Sequence, residues 1–203
     1  MKRIVLILIV IISFLGEAKS QKVLRYGVVG GFNSTSLNVR GVTLSSFNSF
    51  GGGIINELRF PNDWAYSGEI NYYKKGSDIA IDTNGNVKNG DKNLTIHTFD
   101  FPCYAKYYFT DFINLLVGLK ITWAVLSAKY DGNSVKRDIN TIETSLIGGV
   151  GLNFGKIHMK VIYGYGIYGA NIYDNPDNVL PKSLKDYSFN TFRINIGFWL
   201  WEK

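Results

Sequence analysis

Apolar and polar side chains alternate with a period of two over most of the chain after residue 20. The pattern is clearest near the C-terminus, where every second residue from Phe192 to Leu200 is large and apolar. The residues between them include Arg193 and Asn195. Because successive side chains of a strand point to opposite faces, this stretch predicts a strand with one apolar and one mixed face.

Eight segments share this alternation. They are residues 24–32, 50–60, 64–73, 99–109, 113–125, 145–154, 157–167 and 192–201. Each has roughly 9 to 14 residues, which is near the length of a tilted strand that crosses a membrane.

The gaps between the segments alternate strictly between short and long. Turns of two or three residues are predicted at 61–63, 110–111 and 155–156. The long gaps contain breakers such as Asn84-Gly85, and they are residues 33–49, 74–95, 129–144 and 171–190. A membrane barrel has short turns and both chain ends on one side and long loops on the other. The chain is therefore predicted to be all-β, an eight-stranded antiparallel up-and-down transmembrane β-barrel with the long gaps outside the cell.

The charges on the mixed face argue against a soluble barrel, which would turn its apolar face inward. The other face is nearly free of charge, as contact with lipid requires. The predicted lumen charge network comprises Glu57, Arg59, Glu69, Asp100, Lys106, Lys120, Lys160 and Arg193. Glu57 and Glu69 fall on adjacent segments, so we expect them to share Arg59, Lys106 or Arg193 as partners. An eight-stranded barrel is just wide enough for side chains to fill, so we expect a plugged interior rather than a pore.

Large aromatic residues cluster beside the short turns and the C-terminus. These residues are Phe60, Trp64, Phe109, Phe112, Phe154 and Trp201. In a barrel all of these positions lie at one rim, and a ring of aromatics at one rim is typical of a membrane interface. The alternation and the aromatic positions thus predict an interface girdle at the turn side.

The first twenty residues have the features of a secretory signal peptide. Lys2 and Arg3 precede an apolar run at 4–15, and Ala18-Lys19-Ser20 provides small residues two apart. An uncleaved anchor would need about 20 apolar residues. We therefore predict cleavage before Gln21, which leaves residues 21–203 as the barrel domain.

Composition narrows the class of protein further. Hydrophobic residues make up 46% of the chain, which excludes a disordered protein, and a single cysteine excludes a disulfide scaffold. Removing residues 1–20 takes away three of the 22 basic residues and one of the 16 acidic ones, which leaves a net charge of +4. With so mild a charge and no run of basic residues, we expect no nucleic-acid partner.

Catalytic, metal-binding and cofactor-binding residues are not predicted. Gly164, Gly166 and Gly169 match a dinucleotide fingerprint, but the residues that follow them cannot form the helix that it needs. By parity His158 faces the lumen and His97 faces outward, and neither has a well-placed serine, cysteine or acid beside it. Cys103 falls on the apolar face and is expected to behave as a small hydrophobic residue.

Three stretches resemble the outer-membrane β-barrel domain family of Bacteroidetes-type bacteria, which includes PorT-like and OmpX-like small barrels. They are residues 27–33, residues 51–60 followed by 64–76 with Glu69, Tyr73, Lys75 and Gly76, and residues 99–109 with Pro102 and Lys106. The resemblance implies an outer-membrane location, contact with outer-membrane lipids and recognition by the barrel-insertion machinery. Such barrels usually end on an aromatic residue, whereas Glu202 and Lys203 follow Trp201 here.

Three functional classes stay open at this point. The first is a non-enzymatic structural or interaction barrel whose long loops contact an extracellular partner, because binding residues concentrate on loops held by rigid scaffolds. The second is an accessory subunit of a protein-secretion system, which the PorT-like resemblance implies. The third is a lipid-modifying outer-membrane enzyme, which we regard as the weakest of the three because no catalytic triad is evident.

Overall fold

The computed structural model describes residues 23–39, 42–81, 87–135, 142–168 and 187–203. Their regular secondary structure is entirely β. The strands are β1 Val23–Val39, β2 Val42–Arg59, β3 Trp64–Ile81, β4 Val87–Asn89, β5 Lys92–Tyr108, β6 Ile113–Tyr130, β7 Asn133–Ser134, β8 Glu143–Phe154, β9 Ile157–Tyr168 and β10 Tyr187–Glu202. In these ranges no helix is long and apolar enough to cross a membrane. The predicted signal peptide lies outside the described residues.

All ten strands belong to one antiparallel sheet. Its order is β2, β1, β10, β9, β8, β6, β5, β3 and β4, with β7 paired to β6. In addition, β2 pairs with β3 from Gly52 opposite Tyr72 to Arg59 opposite Ala65. Each of the eight long strands therefore has a hydrogen-bonded neighbour on both sides.

One face of this sheet is buried and the other is exposed. In β10, Thr191, Arg193 and Asn195 are at most 3% exposed, whereas Phe192 and Ile194 between them are about 40% exposed. Side chains on the buried face contact strands that are not their neighbours in the sheet. The sheet therefore curves around this face, which we call the inner face, and the apolar residues of β10 point outward.

The strands are longer than the sequence predicts. Six of the eight long strands contain 16 to 18 residues. The predicted loop at 33–49 is wrong, because β1 continues to Val39 and β2 begins at Val42. Strand residues also occupy parts of the predicted gaps 74–95 and 129–144. The short strands β4 and β7 lie in these gaps and raise the number of strands in the described residues from eight to ten. In the predicted gap 171–190, residues before Tyr187 lie outside the described ranges.

A change in polarity along the strands explains this difference. We call the end with the connections 60–63, 109–112 and 155–156 the turn end, and the opposite end the loop end. Near the loop end the outward residues become polar, as at Ser34, Ser36 and Lys74, and the inner face becomes apolar. The buried apolar cluster there contains Leu37, Val39, Leu44, Ile79, Leu94, Ile96, Ala128, Tyr130, Val135, Tyr187 and Phe189. Near the loop end the apolar side chains are the buried ones and the polar side chains point outward, as the hydrophobic effect favours where the outer face is polar. The period of two therefore continues, but the apolar and polar residues have exchanged faces.

Three consecutive glycines mark the place where the β2–β3 ladder ends. A Cβ atom at Gly51, Gly52 or Gly53 would collide with a backbone carbonyl oxygen of β3 or β1, so only glycine permits this close approach. Beyond this point the two strands are joined by side chains: Ser49 Oγ donates a hydrogen bond to the Lys74 carbonyl at 2.7 Å. β2 and β3 therefore stay in contact beyond the end of their ladder.

Candidate functional site

Charged side chains are concentrated on the inner face of the sheet. We call this set the interior network. Its members are Arg25, Glu57, Glu69, Lys75, Asp100, Lys106, Lys120, Glu143, Lys160 and Arg193. All except Arg25 are at most 5% exposed. Charges that are removed from water at this depth are costly unless they are paired and hydrogen-bonded.

Glu57 is the centre of the part of the network nearest the turn end. The Lys106 ammonium donates to Glu57 Oε2 at 2.6 Å, and the Tyr108 hydroxyl donates to Oε1 at 2.9 Å. Arg25 Nη1 lies 3.7 Å from the same oxygen. Three strands, β1, β2 and β5, thus meet at one fully buried carboxylate, although β5 is not a neighbour of β1 or β2.

Glu69 and Lys160 form the middle of the network. They belong to β3 and β9, which are not neighbours in the sheet, and their side chains form a buried ion pair. Asn71 Nδ2 donates to the second carboxylate oxygen of Glu69 at 2.7 Å. The Lys160 ammonium also lies 5.2 Å from the centre of the Tyr104 ring. This pair therefore joins two strands that are not neighbours across the inner face.

Asp100 is the centre of the part nearest the loop end. Lys75 lies 3.1 Å from its Oδ1, the Thr122 hydroxyl donates to the same oxygen at 2.6 Å, and Arg193 pairs with Oδ2. Lys75 also lies 3.2 Å from Glu143, which is 3.8 Å from Lys120. Five strands, β3, β5, β6, β8 and β10, are therefore tied together at this level.

Arg193 shows how tightly these cations are held. Its Nε donates to Asn33 Oδ1 at 2.8 Å, and its guanidinium carbon lies 4.0 Å from the centre of the Tyr73 ring. Tyr73 in turn donates to Asn195 at 2.9 Å. The Arg193 side chain is therefore held by an ion pair, a hydrogen bond and an aromatic ring at once.

Seven of the eight residues predicted from sequence for the lumen lie in the interior network. The eighth, Arg59, lies at the turn end, where its Nη2 contacts Asp111 at 2.8 Å and its guanidinium covers the Tyr108 ring. The expected partnership of Glu57 with Lys106 is present. Glu69 pairs instead with Lys160 and Arg193 with Asp100, because the strands bring these residues together across the interior.

Sequence reasoning missed three members of the network. Lys75 and Glu143 fall in gaps that the sequence predicts as loops, and they are buried because the strands continue through those gaps. Arg25 lies in the predicted segment 24–32 on the face opposite Tyr26. Parity within that segment is a signal that could have identified Arg25.

The remaining candidate residues do not form a reactive site. His158 points inward and stacks on Trp199, with ring centres 4.4 Å apart, whereas His97 points outward and shares a hydrogen bond with the Tyr72 hydroxyl. Gly164 and Gly166 lie within β9, and Gly169 is outside the described residues. Cys103 is exposed on the outer face. Across the described ranges, no group of three or more His, Cys, Asp or Glu residues could hold a metal ion.

At the loop end, Lys92 and Asp131 form an exposed ion pair. The ammonium and carboxylate lie 3.3 Å apart, between the start of β5 and the turn after β6. The hydrogen bond and the charge of Asp131 raise the pKa of Lys92. Because both groups are exposed to water, this pair contributes little to stability.

Outward-facing aromatic residues form two rows. The row at the turn end contains the predicted residues Trp64, Phe109, Phe112, Phe154 and Trp201, which are 46–62% exposed, and Tyr26 and Tyr107 contact it. Phe60 lies at the same end and is half-buried. The second row lies toward the loop end and contains Phe32, Phe50, Tyr72, Phe99, Phe101, Trp123, Tyr163, Tyr165 and Phe192. Along a strand the rows are about 8 to 11 residues apart, which is the length a tilted strand needs to cross a bilayer.

An antiparallel sheet with a charged, buried inner face and an apolar outer band between two aromatic rows is typical of outer-membrane barrel proteins. The outer membrane protein beta-barrel domain family matches residues 4–198, and the chain belongs to this family. Membership in the family indicates an outer-membrane location. No curated protein matches the chain in sequence.

Two solved structures illustrate the likeness in fold. Ail, the attachment invasion locus protein of Yersinia pestis, solved with the heparin analogue sucrose octasulfate, is 14% identical, and the match covers 89% of this chain and 100% of Ail with a TM-score of 0.51. Neisserial surface protein A is 10% identical, and the match covers 85% of this chain and 96% of that one with a TM-score of 0.50. At such low identities the likeness shows the fold alone.

Proposed function

We propose that residues 21–203 form a closed, eight-stranded up-and-down barrel in the outer membrane, with the loop end outside the cell. The pairing of every long strand on both sides supports this architecture. The two aromatic rows support a membrane span between them. Residues 1–20 serve as the cleaved signal peptide that directs the chain out of the cytoplasm.

The lumen of this barrel is filled and does not conduct solutes. The observation that carries this proposal is that ion pairs join strands across the interior at three levels, centred on Glu57, Glu69 and Asp100. The apolar cluster at the loop end adds a second, packed layer above the charges. A solute would have to break several buried ion pairs and displace this cluster to pass.

The protein acts without catalysis, as a structural or interaction barrel. The buried carboxylates are all engaged by cations or hydrogen-bond donors, so none is available as a nucleophile or base. The long strands raise the loop end beyond the second aromatic row, where a partner outside the cell can reach it. Outer-membrane lipids contact the apolar band, and the barrel-insertion machinery delivers the chain.

The orientation can be tested by labelling single cysteines in intact cells. In a Cys103→Ser background, Asn89→Cys places a thiol at the loop end and Asn62→Cys places one at the turn end, and both sites are exposed. A membrane-impermeant maleimide should label position 89 in intact cells and position 62 only after the outer membrane is opened. Labelling of position 62 alone in intact cells would invert the proposed orientation.

A second candidate is an accessory role in protein secretion. Its support is the resemblance of residues 27–33, 51–76 and 99–109 to PorT-like barrels. A pull-down of the tagged protein from native membranes in mild detergent would recover secretion subunits in stoichiometric amounts if this role holds. The lipid-modifying alternative has a direct test of its own, because incubation with lipopolysaccharide followed by mass analysis would reveal any change in the lipid.

A further inference from the structure

The outer face of the sheet carries very few charges. Among the outward-facing side chains of the described strands, β3 contributes Lys74 and Asp78, β4 contributes Lys88 and β6 contributes Lys129, whereas those of the other strands between their ends are uncharged. His97 of β5 lies between the two lysines. We call Lys74, His97 and Lys129 the basic patch.

The register of the sheet brings the three residues of the basic patch together. Lys74 is directly opposite His97 in the β3–β5 ladder. His97 is opposite Ser127 and Lys129 is opposite Thr95 in the β5–β6 ladder, so Lys129 is the diagonal neighbour of His97. Cβ atoms are about 5 Å apart for directly opposite residues and about 7–8 Å apart for diagonal ones. A single tetrahedral anion can therefore reach all three side chains.

Tyr72 fixes the histidine of the patch. Its hydroxyl lies 2.5 Å from His97 Nδ1, and the two rings are 6.0 Å apart. This hydrogen bond leaves Nε2 of His97 for another partner. When the Tyr72 hydroxyl is the donor to Nδ1, Nε2 carries the ring proton, and the patch then offers three donor groups with the two ammonium groups, which matches the acceptor oxygens of a phosphate.

The lysines of the basic patch differ in their partners from the inward-facing strand lysines, each of which is in an ion pair. Lys75, the next residue after Lys74, is buried and pairs with Asp100 and Glu143. In the described part of the chain, neither Lys74 nor Lys129 is in an ion pair. Asp78 lies four residues after Lys74 in β3, and its carboxylate accepts a hydrogen bond from Asn93 at 2.9 Å rather than pairing with Lys74. Lys74 and Lys129 lie on β3 and β6, on either side of His97 of β5, so an anion from outside the chain would neutralise two positive charges that the described residues leave unpaired.

The height of the basic patch identifies the source of that anion. Lys74 and His97 each lie two residues beyond an aromatic residue of the second row, Tyr72 and Phe99, toward the loop end. Lys129 lies three residues beyond Leu126, which is 47% exposed. Aromatic belts mark the level of lipid headgroups, so the patch lies at the height of headgroup phosphates.

We infer that the basic patch binds the phosphate group of an outer-leaflet lipid headgroup. The assignment to the outer leaflet rests on the proposed function, because it requires the loop end to lie outside the cell. Bound there, the headgroup neutralises the two lysines and fixes the height and rotation of the barrel in the membrane. One basic residue near an anionic membrane surface strengthens binding by about fivefold, so two lysines contribute about 30-fold.

The test measures how well purified protein retains lipid in detergent micelles. The full mature chain is mixed with phosphorylated lipid A or with the same glycolipid after phosphatase treatment, and bound lipid is counted by native mass spectrometry. We expect the wild-type protein to bind the phosphorylated form at least tenfold more tightly. Lys74→Gln combined with Lys129→Gln should remove most of this preference, whereas the double arginine variant should keep it.

Lys156→Gln is the matched control, because it removes one exposed lysine at the turn end and should leave the preference unchanged. Equal binding of the two lipid forms, or a double glutamine variant that binds like the wild type, would overturn the inference. Competition by millimolar inorganic phosphate would also overturn it, because the patch would then take free phosphate rather than a headgroup. Because the binding experiment uses purified protein, its result does not depend on how the barrel is oriented in the cell. An inverted orientation would be detected only by the cysteine labelling described above.

Discussion

The Glu69–Lys160 pair provides the sharpest test of a dry, filled interior. Glu69→Gln removes the carboxylate that faces Lys160, and both side chains are at most 2% exposed. Lys160 would keep the face of the Tyr104 ring, 5.2 Å from its ammonium, and the neutral glutamine oxygen, but no negative charge would face it there. Breaking a buried ion pair from one side typically costs about 3–5 kcal/mol, because the remaining charge has no partner. We therefore expect the free energy of unfolding to fall by that amount.

The assay is urea unfolding of the barrel in lipid vesicles, followed by the fluorescence of its four tryptophans. Asp111→Asn is the matched control, because it removes the 83% exposed acid of the Arg59–Asp111 ion pair and leaves Arg59 on the Tyr108 ring. An exposed pair of this kind contributes about 0–1 kcal/mol. Glu69→Gln combined with Lys160→Met should recover most of the loss, because it removes both charges together.

Two results would refute this reasoning. If Glu69→Gln costs no more than the Asp111→Asn control, water reaches the Glu69–Lys160 pair and the interior is hydrated. If the double variant is as unstable as the single one, the loss comes from packing rather than from the stranded charge of Lys160.

Three further predictions concern processing, topology and the apolar cluster. N-terminal sequencing of membrane-extracted protein should begin at Gln21, and an intact Met1 in the mature pool would disprove the predicted cleavage. Protease added to whole cells should cut only at the loop end, most readily near residues 84–91, whereas cuts at Asn62 or Thr110 would contradict the topology. Phe189→Ala should destabilise the barrel by about 3–5 kcal/mol, because Phe189 is 1% exposed within the apolar cluster. The outward-facing Phe192→Ala on the same strand should cost clearly less in urea unfolding, and equal losses would show that the cluster is not a packed core.

The antiparallel all-β fold was predictable because the alternation of apolar and polar residues with a period of two is visible in the sequence. Residues 192–201 illustrate this, since alternate side chains there must face either lipid or the interior. The same parity places Arg193 and Asp100 inward, where the structure has them buried. The position of a charged residue in the alternation is thus enough to predict that it is buried.

The strand lengths and the ion-pair partners were not predictable in the same way. Beyond the second aromatic row the outward residues are polar and the inward ones apolar, so Ser34, Ser36 and Leu37 no longer match the pattern of a lipid-facing strand. Because the pattern of apolar outward and polar inward residues is lost there, the sequence predicts a loop at 33–49. For the same reason it gives no signal that Lys75 is buried. Partners such as Glu69 and Lys160 are 91 residues apart in the chain, and only the curvature and register of the sheet bring them together.

The central claim is that the interior of this outer-membrane barrel is filled by its own side chains. Reconstitution of the purified wild-type protein into a planar lipid bilayer tests it most directly. With the interior network and the apolar cluster in place, we expect no steady conductance steps under an applied voltage. Steady, porin-like conductance steps from the wild-type protein would contradict the account, because they would require an open path past Glu57, Glu69 and Asp100.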